Sequence, residues 1–362
     1  MIDGQINPDL PIFAGANLTV EPDALCAGKS GVTSDYSDAA GHGSSVTAML
    51  VGNGQGAAGI RGIVPKADVV FIGWGDLAGG CEEADGAKAA GLSAFGWGVR
   101  RALDAGATII STSVASGYNN SDDAVVAEAI ARGVPIVGGV SNGVGVSGNV
   151  PYAMNGTVAV SAVDSSGTLA IDPGFNIPNV VKDATVAAAG VDVGVIGGNA
   201  GWDGSETITG TSVATPLVAG MLALTAQKYP AATGNQLIQS LIHNTGTDDH
   251  PLTRLDDGLG YGLASPAHVL RVDPTQYPDE NPLLEKNPEL TPTKDDIAQA
   301  QAKLASPTPS PGASEGSAVT GLLPIVVGVV IGAVVLAIIV VVLVVVVRRR
   351  SPSEARSSHN AE

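Results

Sequence analysis

The segment Gly210-Thr211-Ser212-Val213-Ala214-Thr215-Pro216 places a hydroxyl just ahead of residues 217–228, a stretch of helical composition. Proline is tolerated in a first helical turn, where its missing N–H has no intrahelical partner, so the spacing predicts a helix whose mouth lies at Ser212. A serine there faces the positive end of the helix, which favours a nucleophile that passes through an oxyanion. A serine at a helix start also serves as an ordinary N-cap, and this segment alone leaves both readings open.

Other segments decide between them. Gly210-Thr211-Ser212-x-Ala214-x-Pro216 resembles the nucleophile motif of the subtilisin-like serine peptidases, the subtilases. That family carries its histidine in a His-Gly-Thr-x-Val-Ala segment opening another helix. Gly41-His42-Gly43-Ser44-Ser45-Val46-Thr47-Ala48 is similar, with Ser44 for Thr and Thr47 for Ala, exchanges of similar size. His243, His250 and His268 follow Ser212, and His359 stands in the tail; these read as surface or internally satisfied histidines. The family's aspartate ends the first strand, followed by Ser or Thr and then Gly. Ile2-Asp3-Gly4-Gln5-Ile6-Asn7 resembles this, without the small residue between Asp3 and Gly4. The chain order Asp3, His42, Ser212 is one in which Asp-His-Ser triads occur.

The resemblance implies roles. Asp3 would fix the tautomer of His42, His42 would take the Ser212 proton, and Ser212 would form the acyl-enzyme on a protein or peptide substrate. The segment from Ala129 to Gly143 resembles the helix and strand that lead to the family's oxyanion asparagine, here Asn142, with Ser141 in place of the usual Gly. Ile109-Ile110-Ser111-Thr112-Ser113-Val114-Ala115-Ser116 resembles the strand that pairs with extended substrate. Ser113, Val114 and Ala115, with Gly139 and Val140 beside them, are therefore the implied substrate-binding residues. Ala115 and Ser116 replace a Gly-Gly pair common in the family and add bulk, which implies a narrower or shifted preference. Gly59-Ile60-Arg61-Gly62-Ile63-Val64-Pro65-Lys66-Ala67 is similar to the family's segment after the histidine helix. This chemistry requires no metal or organic cofactor, and no loop is specific enough to place a structural calcium.

Such groups must be positioned by a scaffold, and its elements are readable. Residues 68–72, 108–110, 134–137 and 157–160 are apolar, β-branched runs that read as buried strands. Residues 98–106 and 122–133 read as helices with apolar stripes and closing glycines. Continuous apolar strands separated by helices predict an α/β fold: a parallel twisted sheet flanked by helices on both faces, subtilisin-like in the light of the resemblance.

Beyond this body the composition changes. Every aromatic residue of the 362-residue chain lies at or before Tyr277, so residues 1–272 read as one peptidase domain. Residues 273–319 are rich in proline and polar residues and read as a spacer, with a short helix around 295–304. Within 320–347, the 26 residues from 322 to 347 carry no charge, more than the ~20 a membrane-spanning helix needs. Arg348, Arg349 and Arg350 follow at once, which places residues 348–362 on the cytoplasmic side and the body outside. The architecture resembles that of the mycosins, anchored subtilases of type VII secretion, and implies a secretion complex as partner.

The net charge of −17 repels phosphate backbones and excludes nucleic acid as a partner. The two cysteines, Cys26 and Cys81, are too few for a zinc site. Outside the membrane they read as a disulfide, the alternative being two buried thiols that act as small apolar residues. Because only Met1 and Ile2 precede Asp3, the natural product is expected to start upstream, with an export signal and the rest of the first strand. Two further readings stand beside the peptidase: an inactive subtilase fold that binds or scaffolds, and a purely structural cell-surface protein, which leaves the ordered motifs unexplained.

Overall fold

The computed structural model describes residues 1–76, 80–114, 119–143, 151–285 and 290–306. The strands in chain order are β1 (Ile2–Asp3), β2 (Leu18–Val20), β3 (Val69–Gly73), β4 (Ile110–Thr112), β5 (Ile136–Gly139), β6 (Val158–Val163), β7 (Ile171–Asp172), β8 (Ile177–Pro178), β9 (Val186–Ala189), β10 (Val193–Ile196) and β11 (Ser205–Ile208). Seven of them form one sheet in the order β2-β3-β1-β4-β5-β6-β9, and every pairing in it is parallel. β7–β8 and β10–β11 are antiparallel hairpins outside it.

The helices are α1 (Asp38–Val51), α2 (Asp85–Ala90), α3 (Ala94–Asp104), α4 (Asp123–Ala131), α5 (Thr211–Lys228), α6 (Gly234–His243), α7 (Pro266–Val269) and α8 (Lys294–Ala305). They cover both faces, which is why the strands read as continuous apolar runs. Adjacent residues of β5 show the division. Ile136 joins a buried cluster with Phe95 and Val99 of α3 and Val126 of α4, while Val137 packs with Val218 and Leu222 of α5 and Leu241 of α6. A third cluster joins Phe71 of β3 to Val46 and Leu50 of α1. The predicted parallel sheet between two helical layers is therefore present.

β1 sits where the strand order turns: β3 and β2 lie on one side, β4 onward on the other. Crevices at the carboxyl ends of strands beside such a turn are where parallel α/β sheets bind ligands. Asp3 ends β1, Ser113 follows β4 and Asn142 comes shortly after β5, so these residues gather at one rim. At the opposite strand ends, a cavity of about 390 Å³ opens beside Met1, lined by Val70, Ile110 and Ser111 among others. The Met1 amino group lies in the interior and donates to the Val70 carbonyl at 2.7 Å; burial lowers its pKa from 8.0 to about 5.

Residues 273–306 depart from the spacer expectation, for they pack onto the body. Leu283 and Ile297 are buried in its clusters. Asn281 Nδ2 donates to the Gly156 carbonyl at 2.9 Å, Asn155 Nδ2 to Leu290 at 2.6 Å, and Thr291 Oγ1 to Asp123 Oδ1 at 2.6 Å. Prolines and polar residues dominated the reading of this stretch, but two apolar side chains and these hydrogen bonds suffice to seat it. The helix expected at 295–304 is α8, and it lies against α4. Cys26 and Cys81 are joined as a disulfide across 55 residues of sequence. Among the described residues no helix is long and apolar enough to cross a membrane. The apolar stretch at 320–347 and the tail at 348–362 lie outside the described residues.

Candidate active site

α1 begins at Ser37, whose hydroxyl caps it by accepting from the Ala40 N–H at 3.2 Å. His42 lies in its second turn and points at the end of β1. His42 Nδ1 is 2.9 Å from Asp3 Oδ1, which also accepts from the Gly4 N–H at 2.8 Å. The helix can come this close because residue 43 is glycine: a Cβ there would lie 2.2 Å from the Gln5 carbonyl oxygen and 3.1 Å from Asp3 Oδ1. Asp3 is 1% exposed and the His42 side chain 27%, so the carboxylate is shielded while the imidazole reaches the surface. The negative charge of Asp3 raises the His42 pKa above its ordinary value; burial opposes this and the hydrogen bond assists it. Asp3 Oδ2 is buried with no hydrogen-bond partner among the described residues. Gly4 supplies an N–H to the other oxygen but has no hydroxyl to offer this one.

Ser212 is the second residue of α5, half-buried, at the end where backbone N–H groups lack helical partners. Pro216 lies one turn further into the helix than the first-turn position expected from sequence. It therefore removes the N–H that would bond the Ser212 carbonyl four residues back. Ser113 Oγ replaces that donor, at 2.9 Å from the Ser212 carbonyl. The proline and Ser113 together fix the nucleophile's backbone to the end of β4.

Asn142 is oriented by the same helix start. Its Oδ1 accepts from the Thr211 N–H at 2.9 Å. A Cβ at Gly210 would sit 3.4 Å from Asn142 Nδ2 and Ser212 Oγ and 3.5 Å from Asn142 Oδ1, so the Asn142 amide and the Ser212 hydroxyl border the same glycine. That is the relation an attacking hydroxyl and an oxyanion donor need. α1 and α5 lie side by side, with Val46 and Val213 in one buried cluster. Among the described residues no hydrogen bond joins the His42 ring to Ser212 Oγ; such bonds commonly tighten only around substrate.

The remaining predicted residues sort differently. The Ser113 hydroxyl is spent on the Ser212 carbonyl, and Val114 is half-buried against the α3 layer. Ala115 lies outside the described residues. Gly139 faces α5, since a Cβ there would lie 2.8 Å from the Thr211 and Thr215 hydroxyls. Val140 is 1% exposed; its N–H donates to Val160 at 2.9 Å and its carbonyl accepts from Thr211 Oγ1 at 2.6 Å. Val140 is thus buried between β6 and the start of α5, bonded to both through its backbone. The linkage from Ser113 to Ser212 was not read from sequence, although the missing N–H of Pro216 marks the carbonyl that needs it. The other described histidines are held elsewhere: His268 is buried between Asp249 and the Thr245 carbonyl, His250 bonds Thr245, and His243 stacks on Tyr277; His359 lies outside the described residues. Among the described residues no group of His, Cys, Asp or Glu is arranged to hold a metal ion.

The sequence profile of the Subtilase family, described as Peptidase_S8, matches residues 5–262, most of the chain. Asp3 lies just ahead of this range. A thermostable alkaline protease of Halalkalibacterium halodurans is 29% identical over 245 residues, which cover 67% of this chain and 59% of that protease. The chain thus spans about three-fifths of that relative's length. Mycosin-5 of Mycobacterium tuberculosis is 31% identical over 134 residues, 34% of this chain and 22% of that protein. Among solved structures, fervidolysin from Fervidobacterium pennivorans, a keratinolytic enzyme related to subtilisin, superposes with a TM-score of 0.59 at 22% identity, covering 75% of this chain and 42% of that one. At that identity the likeness shows the fold.

Proposed function

We propose that this chain, which belongs to the subtilase family, is a membrane-anchored serine endopeptidase that cleaves protein or peptide substrates through an acyl-enzyme on Ser212. The observation that carries this reading is the His42–Asp3 hydrogen bond on α1, the helix that packs against α5, whose start carries Ser212. His42 Nε2 accepts the Ser212 proton as Oγ attacks the scissile carbonyl, and the imidazolium that forms is stabilised by Asp3. The carbonyl oxygen becomes negative and is met by Asn142 Nδ2 and the Ser212 N–H near the start of α5. His42 then returns the proton to the leaving amine, and water repeats the sequence to release the acyl group.

Anchoring is supported by the uncharged 26-residue stretch ending at three arginines, which orients the peptidase body away from the cytoplasm. The architecture, with the similarity to Mycosin-5, supports a mycosin-like role beside a secretion complex. A fluorophosphonate probe tests the enzyme reading. Labelling of the wild-type protein that disappears in Ser212→Ala supports it; a folded, processed protein that takes no label supports the inactive scaffold instead. Extraction of membranes with alkaline carbonate tests the anchor, and release into the soluble fraction contradicts it.

A further inference from the structure

We propose that Asn179 is a positioning residue of the oxyanion-binding turn, holding the Ser141 peptide and through it the aim of the Asn142 amide. The proposal rests on the reading of Asn142 as oxyanion donor and adds a residue that nothing in the local sequence links to the site.

Asn179 follows directly after β8 and is 4% exposed. Its Nδ2 donates to the Ser141 carbonyl at 2.6 Å, across 38 residues of sequence. Its Oδ1 is buried and has no hydrogen-bond partner among the described residues. The amide cannot turn over to relieve this, because Oδ1 would then face the Ser141 carbonyl oxygen. A buried carboxamide with half its capacity unmet is costly, so the bond to Ser141 is the function its position serves.

The Ser141 hydroxyl is also held. It accepts from the Gly143 N–H at 3.2 Å and lies 3.0 Å from the Gly143 carbonyl. Asn142 is therefore bracketed by a serine whose side chain closes the turn around it. Tethers from Asn179 and Gly143 hold Ser141 beside it, and the Thr211 N–H holds the Asn142 side chain. An oxyanion donor works by being in place before charge develops, so loosening this turn weakens transition-state binding more than substrate binding.

The test is a kinetic cycle on a fluorogenic peptide with wild type, Asn179→Ala, Asn142→Ala and the double variant, each normalised to folded protein by near-ultraviolet circular dichroism. We expect Asn179→Ala to lower kcat by about 10- to 100-fold with KM within about twofold. In the Asn142→Ala background the same change should cost less than about twofold, because the group it positions is gone. Asn179→Asp, which keeps the shape but sets an oxygen against the Ser141 carbonyl, should lose at least as much kcat as Asn179→Ala and serves if the alanine variant does not fold. An unchanged kcat, a loss confined to KM, or losses that multiply fully in the double variant overturn the proposal. Full activity in Asn142→Ala, by contrast, overturns the underlying assignment of the oxyanion donor.

Discussion

At the scale of single residues the site turns on one carboxylate oxygen. Asp3 Oδ1 receives both the Gly4 N–H and the His42 ring, and its charge raises the imidazole pKa. Catalysis requires the neutral ring, so the acid limb of kcat/KM should lie above 6.5, the ordinary histidine value. Asp3→Asn removes the charge, should move that limb to lower pH, and should reduce kcat by about 10⁴-fold. A pH–rate profile of both proteins checks this; a limb that stays in place contradicts the pairing. The linkage to folding has the same origin. The raised pKa stabilises the fold fully below 6.5, and that contribution is lost as pH rises through the folded value. Asp3, His42 and Ser212 were selectable from sequence because each stands in a short motif that survives in one dimension. Asn179 was not, because its contact with Ser141 joins loops far apart in the chain.

At the scale of elements, the parallel sheet was legible because strands buried on both faces are apolar at successive positions, as in Val158–Val163. β1 was less so, since it has two residues and takes its place from Ile72 and Thr112 on its neighbours.

At the scale of the whole molecule, the body extends to Ser306 rather than ending near residue 272. Composition misled here because burial is decided by individual residues. Leu283 and Ile297, spaced through a proline-rich stretch, are 2% and 5% exposed. Burying two such side chains contributes about 3–6 kcal/mol. A chain ending after residue 272 should thus melt well below one ending after Ser306, and equal melting temperatures would show that the segment adds nothing. The segment also holds the turn at Asn155 and Gly156.

The central claim is that Asp3, His42 and Ser212 act as one proton-passing unit. The kinetics of His42→Ala, Ser212→Ala and the double variant test it most directly. Groups that work as a unit lose nearly everything with the first removal, so each single variant should drop kcat by about 10⁶-fold and the double variant no further. Substantial turnover remaining in either single variant, or a double variant whose loss is the product of the two, would contradict it.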